Sequence, residues 1–159
     1  VTPFGPTTIR RGKAIPPVLV GLGQSSLVLL IALVWFGIPY AGSFALLYLG
    51  LVIFNFTVVG VGLCVSAVTA TMQQAMLYTF TLLMPMILLS GFTTPISSMP
   101  HALRLATPFN PARYGVEFAQ RIYLEGAGTA EMLPVFWPPA VMSVVTLGAA
   151  SRLFRSRLA

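Results

Sequence analysis

Charge is what this sequence has least of. Of 159 residues only 8% are charged, nine basic and three acidic, against about 25% in a soluble domain. From Ala14 to Leu103 there is no Asp, Glu, Lys or Arg. A run of that length cannot coat a water-facing surface, so a soluble globular domain is excluded. A single cysteine, Cys64, rules out an internal disulfide and says little about redox compartment. The one histidine, His101, has no Cys or Asp nearby and so no metal-ligand spacing. No G-x-x-x-x-G-K-[ST] run exists, so the chain offers no phosphate loop and is expected to hold no cofactor of its own. The first apolar run is too long for a cleavable signal peptide and lacks a small-residue cleavage site. The chain begins with Val1 rather than Met, which suggests a piece of a longer protein.

What remains is grease, proline and a few well-placed charges. Apolar residues make up 57% of the chain, and the mean hydropathy is +0.89. The expected class is an all-α integral membrane protein. A helix needs about 20 apolar residues to cross roughly 30 Å of hydrocarbon. Four stretches qualify as transmembrane spans: 15–36, 43–68, 75–92 and 132–150. Pro16 and Pro17 fit the first turn of the first span, where missing N–H groups are tolerated. "FGIPYAGS" and "TATMQQ" read as short breaks between spans. Pro85, Pro134, Pro138 and Pro139 fall within spans, where each implies a kink.

The net charge of +6 does not point to nucleic acid, because of where it sits. Arg10, Arg11 and Lys13 lie at one end, and Arg152, Arg155 and Arg157 at the other. The remaining bases, Arg104, Arg113 and Arg121, share a segment with all three acids, Glu117, Glu125 and Glu131. Two basic ends flanking apolar spans are topology determinants. Four crossings put residues 1–14 and 151–159 on one side, and the positive-inside rule makes that side cytoplasmic. Segment 93–131 then lies outside, the only long connection between spans.

That outer segment has helix signals. Ser98 is placed to cap a short helix, with Pro100 in its first turn and an end near Ala106. Asn110–Pro111 is a second start, Asn as cap and Pro as first helical residue. Arg113, Glu117 and Arg121 recur every four residues as an ion-pair ladder, with Tyr114, Phe118 and Ile122 beside them. The resulting helix is expected to end before Gly126, and Thr129 to cap the last span with Glu131 in its first turn. The expected architecture is thus about four transmembrane helices plus two short extracytoplasmic helices, re-entrant or interfacial.

In this order, "VTP" at Val1–Pro3, "GK" at Gly12–Lys13, "TMQQAM" at Thr71–Met76, "SGFTTPISSMP" and "NPARYGVEFAQRIYLEGAG" resemble type-2 ABC transporter permeases. These are the membrane subunits of bacterial exporters of drugs, lipids or polysaccharides. The resemblance covers essentially the whole chain and matches the carboxyl-terminal part of such a permease. It implies that the four spans are the family's third to sixth, and that residues 1–13 end the cytoplasmic loop that touches the ATPase. Segment 93–131 would be a re-entrant hairpin near the outer exit. ATP would be bound by a separate nucleotide-binding subunit, and a second permease subunit, identical or not, would complete the path in the bacterial inner membrane.

Six residues are candidates for a substrate path or its gating. Gln24 and Asn55 are amides inside spans, which either pair across helices or line a path. Gln73 and Gln74 lie at the cytoplasmic end, where solvation alone would also account for them. Arg113 and Glu117 either structure the hairpin or meet an anionic headgroup or substrate. "GLGQSS", Gly21 to Ser26, and the pairs Gly60–Cys64 and Gly62–Ser66 read as small residues for helix packing. Methionines around the third span suit varied apolar substrates and an ordinary bundle equally. The rival readings are a membrane-embedded lipid-modifying enzyme using His101, Arg113 and Glu117, and a structural assembly subunit. An ion-coupled carrier fits less well, because the spans contain no ionisable acid or base.

Overall fold

The computed structural model describes residues 6–35, 37 and 42–158, with side chains over 12, 15–35, 37 and 42–154. The described residues are mostly helical, with no strand among them. Three long helices carry apolar windows that can cross a membrane: α1 (Pro6–Val34), α2 (Phe44–Val68) and α6 (Thr129–Leu158). A fourth, α3 (Met72–Leu88), is apolar but has 17 residues, about 25 Å at 1.5 Å per residue. Between α3 and α6 come a 3₁₀ turn at Ile96–Ser98, α4 (His101–Ala106), a second 3₁₀ turn at Thr107–Phe109, and α5 (Pro111–Phe118). The last runs straight into a π-helical segment, Ala119–Leu124.

Several boundaries differ from the sequence reading. Pro6–Lys13, expected as a loop end, is helical and continuous with the first span, so Pro16 and Pro17 lie well inside α1. The carbonyls four residues back lose their helical donors, a defect membrane helices tolerate where other donors or water reach them. The turn expected over "FGIPYAGS" falls mostly outside the described residues; within it Gly37 adopts φ +57°, the left-handed form that follows helix ends.

At "TMQQ" the polar break is itself a helix start. Thr71 accepts from the Gln74 N–H at 3.2 Å, and Gln74 reaches back to the Ala70 N–H at 3.2 Å. This pairing starts α3 at Met72, three residues earlier than expected. Its other end stops at Leu88, before Gly91 turns the chain with φ +86°.

Ser98 does not cap α4. It sits within the 3₁₀ turn, and Pro100 occupies the cap position instead. The proline forces Met99 into extended backbone (ψ 146°), so the helix cannot begin before it. The last helix starts one residue before the expected capping arrangement: Gly128 is the cap, its carbonyl accepting from Met132 and its N–H bonded to Glu131 at 3.4 Å. The helix then runs on to Leu158 through the expected tail.

α2 is the hub, and its most extensive partner is α6. The two run parallel: Gly50 lies on Phe136, and Gly60 on Thr146. Cys64 donates to the Thr146 carbonyl at 3.3 Å, so Gly60 and Cys64 pack within the subunit, whereas Gly62 has open space and Ser66 is exposed. α1 runs antiparallel to α2, joined by Gly21 against Asn55 and by a Ser26–Tyr48 hydroxyl pair at 2.9 Å. The amino end of α1 and the carboxyl end of α6 therefore share one end of the bundle.

The core sits at the opposite end. Leu47 of α2, Tyr114, Phe118, Ile122 and Tyr123 of the hairpin, and Met132 and Val135 of α6 form one buried cluster. The apolar stripe expected on α5 thus faces inward, between α2 and α6. Phe118, fully buried, packs at a tilt against Phe136 with ring centroids 5.2 Å apart and lies over Gly50. Gly50 is six residues into α2, so α5 reaches roughly 9 Å below the start of that helix. α3, in contrast, buries none of its residues.

Candidate functional site

A cavity of about 380 Å³ opens between α1 and α2 beneath the π-helical segment. Gln24 and Ser25 of α1, Phe54 and Asn55 of α2, and Tyr123 of the hairpin are among its lining residues. Gln24 and Asn55 each lie near the middle of their apolar stretch. Two amides that the sequence separates are thereby brought to one cavity. Asn55 is buried, its Nδ2 donating to the Leu51 carbonyl at 3.0 Å and its carboxamide lying against Gly21, whose missing side chain makes the contact possible. Gln24 is exposed and its side chain makes no hydrogen bond to a described residue. The hydroxyls of Ser25 and Ser26 return to their own helix, onto Gly21 and Leu22 carbonyls at 2.8 Å, so "GLGQSS" is plain helix. The result is an apolar cavity, within the usual size for small-molecule sites, with one uncommitted amide at mid-depth.

The remaining candidates lie elsewhere. Gln74 is occupied in starting α3, and Gln73 is exposed beside it, at the end away from the hairpin. The expected charge ladder on α5 is half formed. Glu117 pairs with Arg121 at 2.9 Å, with the arginine side chain 45% exposed, a pair worth only tenths of a kcal/mol. Arg113 turns away and donates to Thr107 Oγ1 at 2.8 Å, while its buried Nε has no partner among the described residues. Thr107 is fully buried and donates to the Arg104 carbonyl at 3.0 Å, so the guanidinium braces the second 3₁₀ turn.

Tyr114 braces the same turn, its hydroxyl donating to the Pro108 carbonyl at 3.0 Å. Burial pushes this phenol above its ordinary 10.0, partly offset by the Arg113 charge and reinforced by Glu117. It therefore stays a proton donor at neutral pH. His101 is exposed, and no described contact joins it to Arg113 or Glu117. The trio that an enzyme would need is not assembled, and no group of three metal-ligating side chains exists among the described residues.

Two features were missed in the sequence. Tyr123 lines the cavity from the π-helical segment, and no residue type signals a π-helix. Asn110 caps α5 as expected, accepting from the Ala112 N–H at 3.0 Å, but its Nδ2 also donates to the Met86 carbonyl at 2.7 Å. A bond from residue 110 to the end of α3 has no local sequence signature.

The described residues thus form a bundle of long apolar helices with a hairpin set into one end, the architecture of an integral membrane domain. The family model for ABC-2 type transporters matches residues 1–124, and the chain belongs to that family. It is a family of transporter permeases rather than enzymes. Among curated relatives, the probable multidrug ABC transporter permease YbhR of Escherichia coli K12 is 37% identical over 158 residues, covering 99% of this chain and 43% of YbhR. The probable multidrug ABC transporter permease YbhS of the same strain is 34% identical over 115 residues, 72% of this chain and 30% of YbhS. The inner membrane transport permease YhhJ, also from K12, is 32% identical over 152 residues, 94% of this chain and 39% of YhhJ. The chain thus spans less than half the length of these relatives. No solved structure matches it. Family and apolar helices together make this a multi-pass membrane protein.

Proposed function

We propose that this chain is part of the membrane-spanning permease subunit of an ATP-binding cassette exporter, moving a drug-, lipid- or polysaccharide-type substrate across the inner membrane. Energy comes from a separate ATPase subunit that binds ATP, and a second permease subunit completes the path. Four helices cross the bilayer, α3 among them, its short length matched by local thinning or by the hairpin at its end. Both ends of the described bundle, with their basic residues, face the cytoplasm, and the hairpin faces out.

The observation that carries this reading is the hairpin seated between α2 and α6, below the level at which α2 begins, in a chain of the ABC-2 family. Irregular backbone at that depth is tolerated where protein covers it, as the core does here. The cavity holding Gln24 and Asn55 supports a route for mainly apolar molecules with a hydrogen-bonding group. Co-purification of the full-length permease followed by ATPase assay in lipid is the test. An associated ATPase whose activity depends on the permease is expected; a permease that recruits none overturns the reading.

A further inference from the structure

The geometry points to Asn110 as a positioning residue of the transport cycle, a latch that holds the outer end of α3 against the hairpin and must open for α3 to swing away. This rests on the permease reading above. Asn110 is 6% exposed and uses both ends of its amide. Its Oδ1 accepts from the Ala112 N–H, an orphan donor of the first turn of α5. Its Nδ2 donates to the Met86 carbonyl, an orphan acceptor of the last turn of α3, where Leu89 and Ser90 turn instead to Pro85 and Ile87. One short side chain therefore closes two helix ends that face each other.

The bond matters because α3 has few other ties. None of its residues is buried. Among the described hydrogen bonds, this one alone joins α3 to an element beyond its own flanking residues. The chain between them wanders through Gly91, two 3₁₀ turns and α4, which does not fix one end against the other. α5, on the other side of the junction, is anchored by Tyr114 and Phe118 in the core. The latch thus joins a helix that buries none of its residues to one anchored in the core. Asparagine is the residue type suited to it. Aspartate caps a helix equally well but has no hydrogen to give Met86, and would set a carboxylate against a carbonyl. Serine caps but is too short to span the gap.

Asn110→Asp therefore separates the latch from the cap. In the full-length permease in lipid nanodiscs, with Cys64 and any cysteine outside this chain replaced by serine, spin labels go at Met84→Cys of α3 and Leu133→Cys of α6, both exposed. With labelled subunits diluted into unlabelled ones, the protein with Asn110 should give a single α3–α6 distance without nucleotide, and Asn110→Asp an added longer one. In the complex with its ATPase, Asn110→Asp should also raise the basal ATPase rate about fivefold or more. If Asn110→Asp keeps the single distance and the basal rate, the amide serves only as a cap and the latch is overturned. Should that variant fail to fold, Asn110→Ser makes the same separation. The distance measurement needs no ATPase, so it decides the latch even where no ATPase associates and the permease reading itself fails.

Discussion

At the scale of single residues, the decisive feature is how closely backbones approach at glycine. A methyl group on Gly21 would collide with the Asn55 carboxamide alone, whereas one on Gly42 would collide with the Ile122 backbone carbonyl. A side chain can be removed and a backbone cannot. Gly21→Ala should therefore lower stability by about 1–3 kcal/mol, the usual cost of overpacking, and Asn55→Ala should largely relieve it. Gly42→Ala should cost at least as much with no relief from Ile122→Ala. Thermal unfolding in detergent, run as a double-mutant cycle, compares the two. Tyr114 gives a pH signature. Its folded-state value lies above the ordinary 10.0, so the native state holds that proton more tightly. Its contribution is constant below pH 10 and declines above it. Tyr114→Phe should flatten that alkaline decline.

At the scale of elements, the hairpin helix is held by shape. Helices in lipid gain little from the hydrophobic effect, so packing has to hold them. Phe118 is fully buried between Gly50 and Phe136. Phe118→Ala would leave a void of roughly 100 Å³, costing about 2 kcal/mol at ~24 cal/mol per Å³. Hydrogen exchange should then rise across α5 while α6 beyond Thr146 stays protected; unchanged exchange in α5 would mean that its seat lies elsewhere. The register of α5 was legible beforehand, because Asn110–Pro111 is a strong start and Tyr114, Phe118 and Ile122 share one face. The start of α4 was misplaced because Ser98 resembles a cap, although Pro100, readable in the sequence, already holds Met99 in extended backbone and makes the helix wait. The start of α3 was misplaced because Thr71 and Gln74 look like a polar break until their two hydrogen bonds are seen to close one turn.

At the scale of the whole molecule, the bundle fixes which ends lie together. α1 runs against α2 and α6 runs with it, so the two basic ends share one end of the bundle and the hairpin takes the other. With Cys64 and any cysteine outside this chain replaced by serine, Leu105→Cys should react with a membrane-impermeant maleimide added to spheroplasts, and Arg152→Cys only after lysis. The reverse pattern would turn the topology over. Both residues are exposed, so accessibility within the protein does not confound the result.

By itself the sequence determined the all-helical class and the membrane. These follow from composition and from periods of a few residues, which are local quantities. It also marked Gln24 and Asn55 as costly in lipid, since an amide in hydrocarbon stands out wherever it falls. Only the tertiary structure decided that these two share a cavity, that Arg113 braces Thr107 and leaves Glu117 to Arg121, and that Asn110 reaches Met86. Each of those depends on which helix faces compete for the same neighbour. That competition is settled by close approach at Gly21, Gly50 and Gly60, and no pattern within one segment records it.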